Sequence, residues 1–89
     1  MEHSSEVTIV NKYGLHARPA AEFVKLANRF RADVFIRKEE VEVSGKSIMG
    51  VMMLAAECGS VVSIRASGED AERAVDSLVE LVRNRFGED

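Results

Sequence analysis

Two hydrophobic periods alternate along this chain of 89 residues, and their order limits the folds open to it. Apolar residues two apart mark strands; apolar residues three or four apart mark helices. Residues 6–11 alternate, with Val7 and Ile9 on one side and Thr8 on the other, which predicts a half-buried strand. Residues 19–30 take helical spacing through Ala20, Phe23, Ala27 and Phe30, with Glu22, Lys25, Asn28 and Arg29 opposite. Residues 32–37 predict a second strand and 41–43 a short third, with Lys38-Glu39-Glu40 as a tight hairpin between them. A short helix over residues 47–56 is stopped by Gly59, and a fourth strand follows over 60–66. The longest helix covers 70–86 and buries Val75, Leu78, Val79 and Val82. Its acids lie early and its arginines late, as the helix dipole prefers. Gly87-Glu88-Asp89 is expected to fray, and His3 to lie in a mobile terminus.

The order β-α-β-β-α-β-α predicts an α+β fold. Four strands form a mostly antiparallel sheet, with three helices on one face and water on the other. A ferredoxin-like split βαβ with an added helix satisfies the same pattern. At 9.8 kDa there is room for one domain over residues 1–89, with a thin core. No apolar run approaches the roughly 20 residues of a membrane helix, and residues 1–6 lack the basic and apolar regions of a secretory signal. Cys58 is the single cysteine, which excludes an internal disulfide framework and a cysteine zinc site. A net charge of -3 disfavours bulk attraction to nucleic acid. The expectation is a cytoplasmic protein with no membrane insertion, no nucleic-acid partner, no metal and no cofactor.

The run Gly14-Leu15-His16-Ala17-Arg18-Pro19-Ala20 joins a strand to a helix and sets a histidine at the helix mouth. First-turn N–H groups of a helix lack intrahelical partners and favour an anion. Arg18 adds a guanidinium fork suited to phosphate oxygens. Gly14 permits a sharp turn, and Pro19 stiffens a first turn in which its missing N–H costs nothing. Neutral imidazole is a nucleophile near neutral pH. His16 can therefore contact an anion or carry one covalently, with Arg18 and the helix amides stabilising the new charge.

A second run, Lys46-Ser47-Ile48-Met49-Gly50-Val51-Met52-Met53-Leu54, begins with an N-cap serine. A phosphate on Ser47 would be tolerated at a helix N-terminus, yet would charge the adjoining surface. The helix that follows is apolar on nearly every side. Val51 and Leu54 belong to the core, and Met49, Met52 and Met53 are expected at an exposed, adaptable patch. Cys58 reads as a small apolar residue, since no base can be placed beside it.

The two runs together resemble the HPr phosphocarriers of the bacterial phosphoenolpyruvate-dependent sugar phosphotransferase system. The likeness extends through Ala66-Ser67-Gly68-Glu69-Asp70 into the last helix. It implies the open-faced β-sandwich rather than the ferredoxin-like plan. It implies that His16 takes a phosphoryl group on Nδ1 from phosphorylated enzyme I and passes it to the A domain of a sugar-specific enzyme II. Arg18 and the backbone N–H groups of Ala17 and Arg18 would stabilise the phosphohistidine. Ser47 falls on the serine that an HPr kinase/phosphorylase modifies in many bacteria. Ile48, Met49 and Met52 fall on the family's docking patch, with Ala21, Val24 and Lys25 on the facing part of the first helix. The resemblance implies a covalent carrier, not an enzyme with its own turnover, and a monomer is the expectation for this chain. Ser44 departs from the usual asparagine, and Asn28 from a common lysine. A nitrogen-type or regulatory branch carrier is the alternative within the family. Outside it stands a ligand- or RNA-binding module, for which the strands offer only Phe35 as a stacking aromatic.

Overall fold

The computed structural model describes residues 1–88; Asp89 lies outside the described residues. The elements are β1 (Glu2–Thr8), α1 (Ala17–Ala27), β2 (Asp33–Lys38), β3 (Val41–Ser44), α2 (Ile48–Met53), β4 (Val61–Ser67) and α3 (Ala71–Arg83), with a 3₁₀ turn at Arg85–Gly87. The sheet order is β1-β4-β2-β3, and every neighbouring pair is antiparallel. This is the open-faced α+β sandwich, with its helices on one side.

β4 is central, and its alternation organises the core. Val62, Ile64 and Ala66 are buried, and they pair with Val7 on β1 and with Ile36 and Val34 on β2. Ala74, Val75, Leu78, Val79 and Val82 of α3 and Ala20, Phe23 and Ala27 of α1 complete this core. Burying a Val, Leu or Phe fully is worth about 1.5–3 kcal/mol, so this one face supplies most of the driving force. The opposite face is held differently. Arg65 donates to Glu2 and to Glu42, each at 2.9 Å, while its guanidinium lies 4.3 Å above the Phe35 ring. One arginine thus ties three strands together and covers the aromatic ring that water would otherwise meet.

Several boundaries differ from the sequence expectation, each for a local reason. β1 starts at Glu2, because backbone pairing with β4 continues from Glu2 opposite Ser67 where no apolar alternation marks it. His3 therefore sits in a strand rather than in a mobile terminus. α1 begins at Ala17 and closes at Ala27, where the side chain of Asn28 donates to the Val24 carbonyl at 2.9 Å. α2 ends at Met53, and the residue that turns the chain is Ala55, at φ 50°, rather than Gly59. α3 stops at Arg83, because Arg85 and Phe86 adopt φ of 57° and 55°. Phe86 remains buried, and Glu88, expected to fray, is seated against the helix mouth described below.

Asp70 locks the start of α3 to the loop before β2. Its carboxylate accepts the backbone N–H of Arg31 at 3.0 Å and of Ala32 at 2.8 Å. The Arg31 bond first, then the Ala32 bond, hold the Asp70 carboxyl below the usual range. A folded-state pKa lowered in this way stabilises the fold above the unfolded-state pKa of about 4. That contribution is lost as pH falls through the folded value. Asp70→Asn keeps an acceptor but loses the charge. The variant is expected to be less stable at neutral pH and to lose less on acidification below about pH 4. Denaturant unfolding followed at a series of pH values checks this; parallel curves for the two proteins would contradict it.

Candidate functional site

The mouth of α1 is built by its preceding loop. Gly14 turns at φ 66°, and its N–H closes on the Asn11 carbonyl at 3.1 Å. Leu15 is buried and donates its N–H to the Ala56 carbonyl at 2.9 Å, anchoring the loop to the segment after α2. His16 is then the N-cap, in extended conformation. Its carbonyl accepts Ala20 N–H at 3.0 Å, and its side chain makes no cap bond. The imidazole is left 41% exposed. Pro19 is the third helical residue and has no N–H, so the amides of Ala17 and Arg18 are the first-turn donors that the helix leaves unused.

A carboxylate already occupies the space beside this histidine. Glu88 Oε2 lies 3.1 Å from His16 Nε2, and Glu88 Oε1 lies 3.4 Å from the same nitrogen. Arg18 Nε donates to Oε2 at 3.2 Å, and Arg18 Nη2 donates to the Phe86 carbonyl at 3.1 Å. Asn11 Nδ2 donates to Glu88 Oε1 at 3.0 Å and to the Gly14 carbonyl at 2.8 Å. Asn11 is fully buried, and its Oδ1 has no hydrogen-bond partner among the described residues. Burial alone would raise the Glu88 carboxyl. The hydrogen bonds from Asn11 and His16, and the charges of His16 and Arg18, outweigh burial and leave it below the usual range. The Tyr13 ring stands edge-on to His16, with centroids 6.1 Å apart. The arrangement receives an anion, and in this state the anion is the chain's own.

Ser47 is the N-cap of α2, and its Oγ accepts Gly50 N–H at 3.1 Å. Lys46 next to it donates from Nζ to the Phe30 carbonyl at 2.8 Å, and Ser44 Oγ accepts Lys46 N–H at 3.2 Å. Beyond Ser47, Val51 and Leu54 are buried, while Ile48, Met49, Met52 and Met53 are exposed, Met49 and Met53 by 71% and 74%. α1 packs against α2 and brings exposed Lys25 and half-buried Ala21 to the same helical layer. Val24 is 7% exposed, because it shares the inward stripe of Phe23 and Ala27. Cys58 is free and exposed.

His16, Arg18, Ala17 and Ser47 are the candidates that the sequence offered, and Asn11 and Glu88, which it did not offer, join His16 and Arg18 at the mouth of α1. Asn11 carried one available signal, a polar residue on the buried side of an alternating run. Glu88 carried none, since it reaches His16 across 72 residues of chain. Among the described residues no group of three or more His, Cys, Asp or Glu side chains could hold a metal ion, and no helix is long and apolar enough to cross a membrane.

Fold and site define a small α+β protein that seats an anion against a histidine at a helix mouth. The family whose model is described as "PTS HPr component phosphorylation site" matches residues 3–84. The phosphocarrier protein HPr of Cupriavidus necator is 48% identical over 83 residues, 93% of each chain. That of Pseudomonas aeruginosa is 51% identical over 84 residues, again 93% of each. The crystal structure of HPr-C-His from Thermoanaerobacter tengcongensis superposes with a TM-score of 0.94 at 44% identity, covering 98% of both chains. The chain belongs to the HPr family, the phosphocarriers of the phosphotransferase system. Such a protein carries a phosphoryl group between partners and is not an enzyme with independent turnover.

Proposed function

We propose that His16 is the phosphoryl acceptor, that phosphorylated enzyme I is its donor, and that the A domain of a sugar-specific enzyme II is its recipient. The observation that carries this reading is the anion held at the mouth of α1 by Asn11, His16 and Arg18. A phosphoryl group on the exposed ring meets the same Arg18 fork and the unused amides of Ala17 and Arg18. The N–P bond stays reactive because its cleavage by the next acceptor returns the electron pair to the ring, which leaves as neutral imidazole. Mixing the protein with enzyme I and phosphoenolpyruvate is expected to add one phosphoryl group by mass spectrometry, lost on acid treatment. A product stable to acid, or none, overturns the proposal.

The exposed side chains of Ile48, Met49 and Met52, with Ala21, Val24 and Lys25 of α1, form the docking surface in this reading. Unbranched, polarisable methionines adapt to more than one partner, which suits a carrier that must leave its donor before meeting its recipient. Ser47 at the edge of the patch is the regulatory position, modified by an HPr kinase/phosphorylase. Its charge state can be mimicked without losing the cap, because aspartate is as good an N-cap as serine. Ser47→Asp is therefore expected to leave the melting temperature nearly unchanged. It should weaken binding to enzyme I on the order of tenfold, about 1.4 kcal/mol, through desolvation of the added charge. Titration calorimetry with both proteins measures this, and equal affinities would remove Ser47 from the docking edge.

A further inference from the structure

The turn after α3 is costly and is pinned at both ends. Arg85, Phe86 and Gly87 have φ of 57°, 55° and 77°, three successive left-handed residues of which only the glycine adopts that conformation freely. Phe86 is buried in the core, and its carbonyl takes Nη2 of Arg18. What this turn delivers is one carboxylate, only 18% exposed, to the ring of His16. The contact is to Nε2, and among the described residues Nδ1 has no hydrogen-bond partner. An ionised carboxylate can only accept, so a neutral ring facing it must carry its proton on Nε2. The lone pair is then on Nδ1. Carboxylates fix the tautomer and tilt of histidines in this way in metal sites and hydrolytic triads.

We propose that Glu88 is the positioning residue of His16: its carboxylate keeps the ring proton on Nε2 and orients the ring, so that Nδ1 presents the attacking lone pair. This rests on the reading of His16 as phosphoryl acceptor. In the step itself the Nδ1 lone pair forms the bond to phosphorus. The bond from phosphorus to the donor breaks, and its electron pair stays with the donor, phosphorylated enzyme I. The proton on Nε2 does not move, and the positive charge that the ring acquires is met by Glu88 3.1 Å away. Asn11 and Arg18 hold that carboxylate by its other contacts, so the position of the carboxylate does not depend on the His16–Glu88 bond alone.

Glu88→Gln in the full chain tests the idea. Glutamine has the same reach but offers either an oxygen to accept Nε2–H or an N–H to donate to bare Nε2, so it holds no single tautomer. Nitrogen-15 NMR of the neutral ring is expected to show the Nε2–H form almost alone in the unaltered protein and a gain of the Nδ1–H form in Glu88→Gln. Single-turnover phosphorylation by phosphorylated enzyme I should slow about tenfold. Glu88→Ala, which leaves no partner at all, should move both readouts in the same direction. An unchanged tautomer ratio in either variant overturns the proposal, and so does an unchanged rate. If the unaltered protein takes no phosphoryl group, the acceptor reading of His16 fails instead, whatever the tautomer ratios show.

Discussion

His16→Ala takes up no phosphoryl group from phosphoenolpyruvate and enzyme I, yet melts within a few degrees of the unaltered protein. Both halves of this expectation follow from the position of His16. The residue caps α1 with its backbone alone: its carbonyl accepts Ala20 N–H, and its side chain makes no cap bond. Its φ of -76° and ψ of -173° are ordinary extended values that alanine adopts without strain. Truncation therefore removes a half-exposed ring, its contact to Glu88 and an edge contact from Tyr13. Asn11 and Arg18 still hold the Glu88 carboxylate. Surface changes of this kind cost about 0.5 kcal/mol, or roughly 2–4 °C in a domain of this size. Transfer, by contrast, has nowhere else to go. The other histidine, His3, lies on β1 across from Ala66, away from the helix mouth and without an arginine hydrogen-bonded beside it. Acid-labile label measured by mass spectrometry, beside a thermal melt of the same sample, tests the two halves together. Label retained by the variant would defeat the assignment of the acceptor.

The parts of the fold that periodicity expresses were legible in advance. Val62 and Ile64 alternate on β4, and Val75, Leu78, Val79 and Val82 stripe α3, because each element buries one face and its pattern records which. Periodicity alone left two plans open, and the likeness of the two motifs to HPr decided between them. Element ends were less legible. Ala55, Arg85 and Phe86 turn the chain in left-handed conformations that neither glycine nor proline announces, and tertiary contacts impose them. Phe86 shows how: its ring belongs to the core, and the backbone bends to put it there. The same limit governed the site. His16, Ala17 and Arg18 are neighbours in sequence and could be read as a helix mouth. Asn11 and Glu88 join them only through the fold, and a carboxylate 72 residues away leaves no local pattern.

Gly14→Ala is expected to be the most damaging single methyl group in the chain, costing roughly 2–4 kcal/mol. Two penalties meet there. The backbone sits at φ 66°, where a Cβ crowds the following carbonyl, at about 1–2 kcal/mol. A Cβ would also collide with the carbonyl oxygen of Ala56 and approach Glu57 Cα to 2.9 Å, and both are backbone atoms that cannot swing aside. The Ala56 oxygen is also the acceptor for Leu15 N–H, and the Gly14 carbonyl is the acceptor for Asn11 Nδ2. Relief of the collision therefore shifts the loop that carries His16, and transfer should fall along with stability. Gly59→Ala separates the two penalties. Gly59 also has positive φ, 96°, but a Cβ there would meet nothing within 4 Å. It should show the conformational cost alone, about 1–2 kcal/mol, with transfer unaffected. Denaturant unfolding of both variants at neutral pH, with single-turnover phosphorylation of each, makes the comparison. If Gly14→Ala loses no more stability than Gly59→Ala and transfers as fast, then the Gly14–Ala56 contact is not what holds the helix mouth in place.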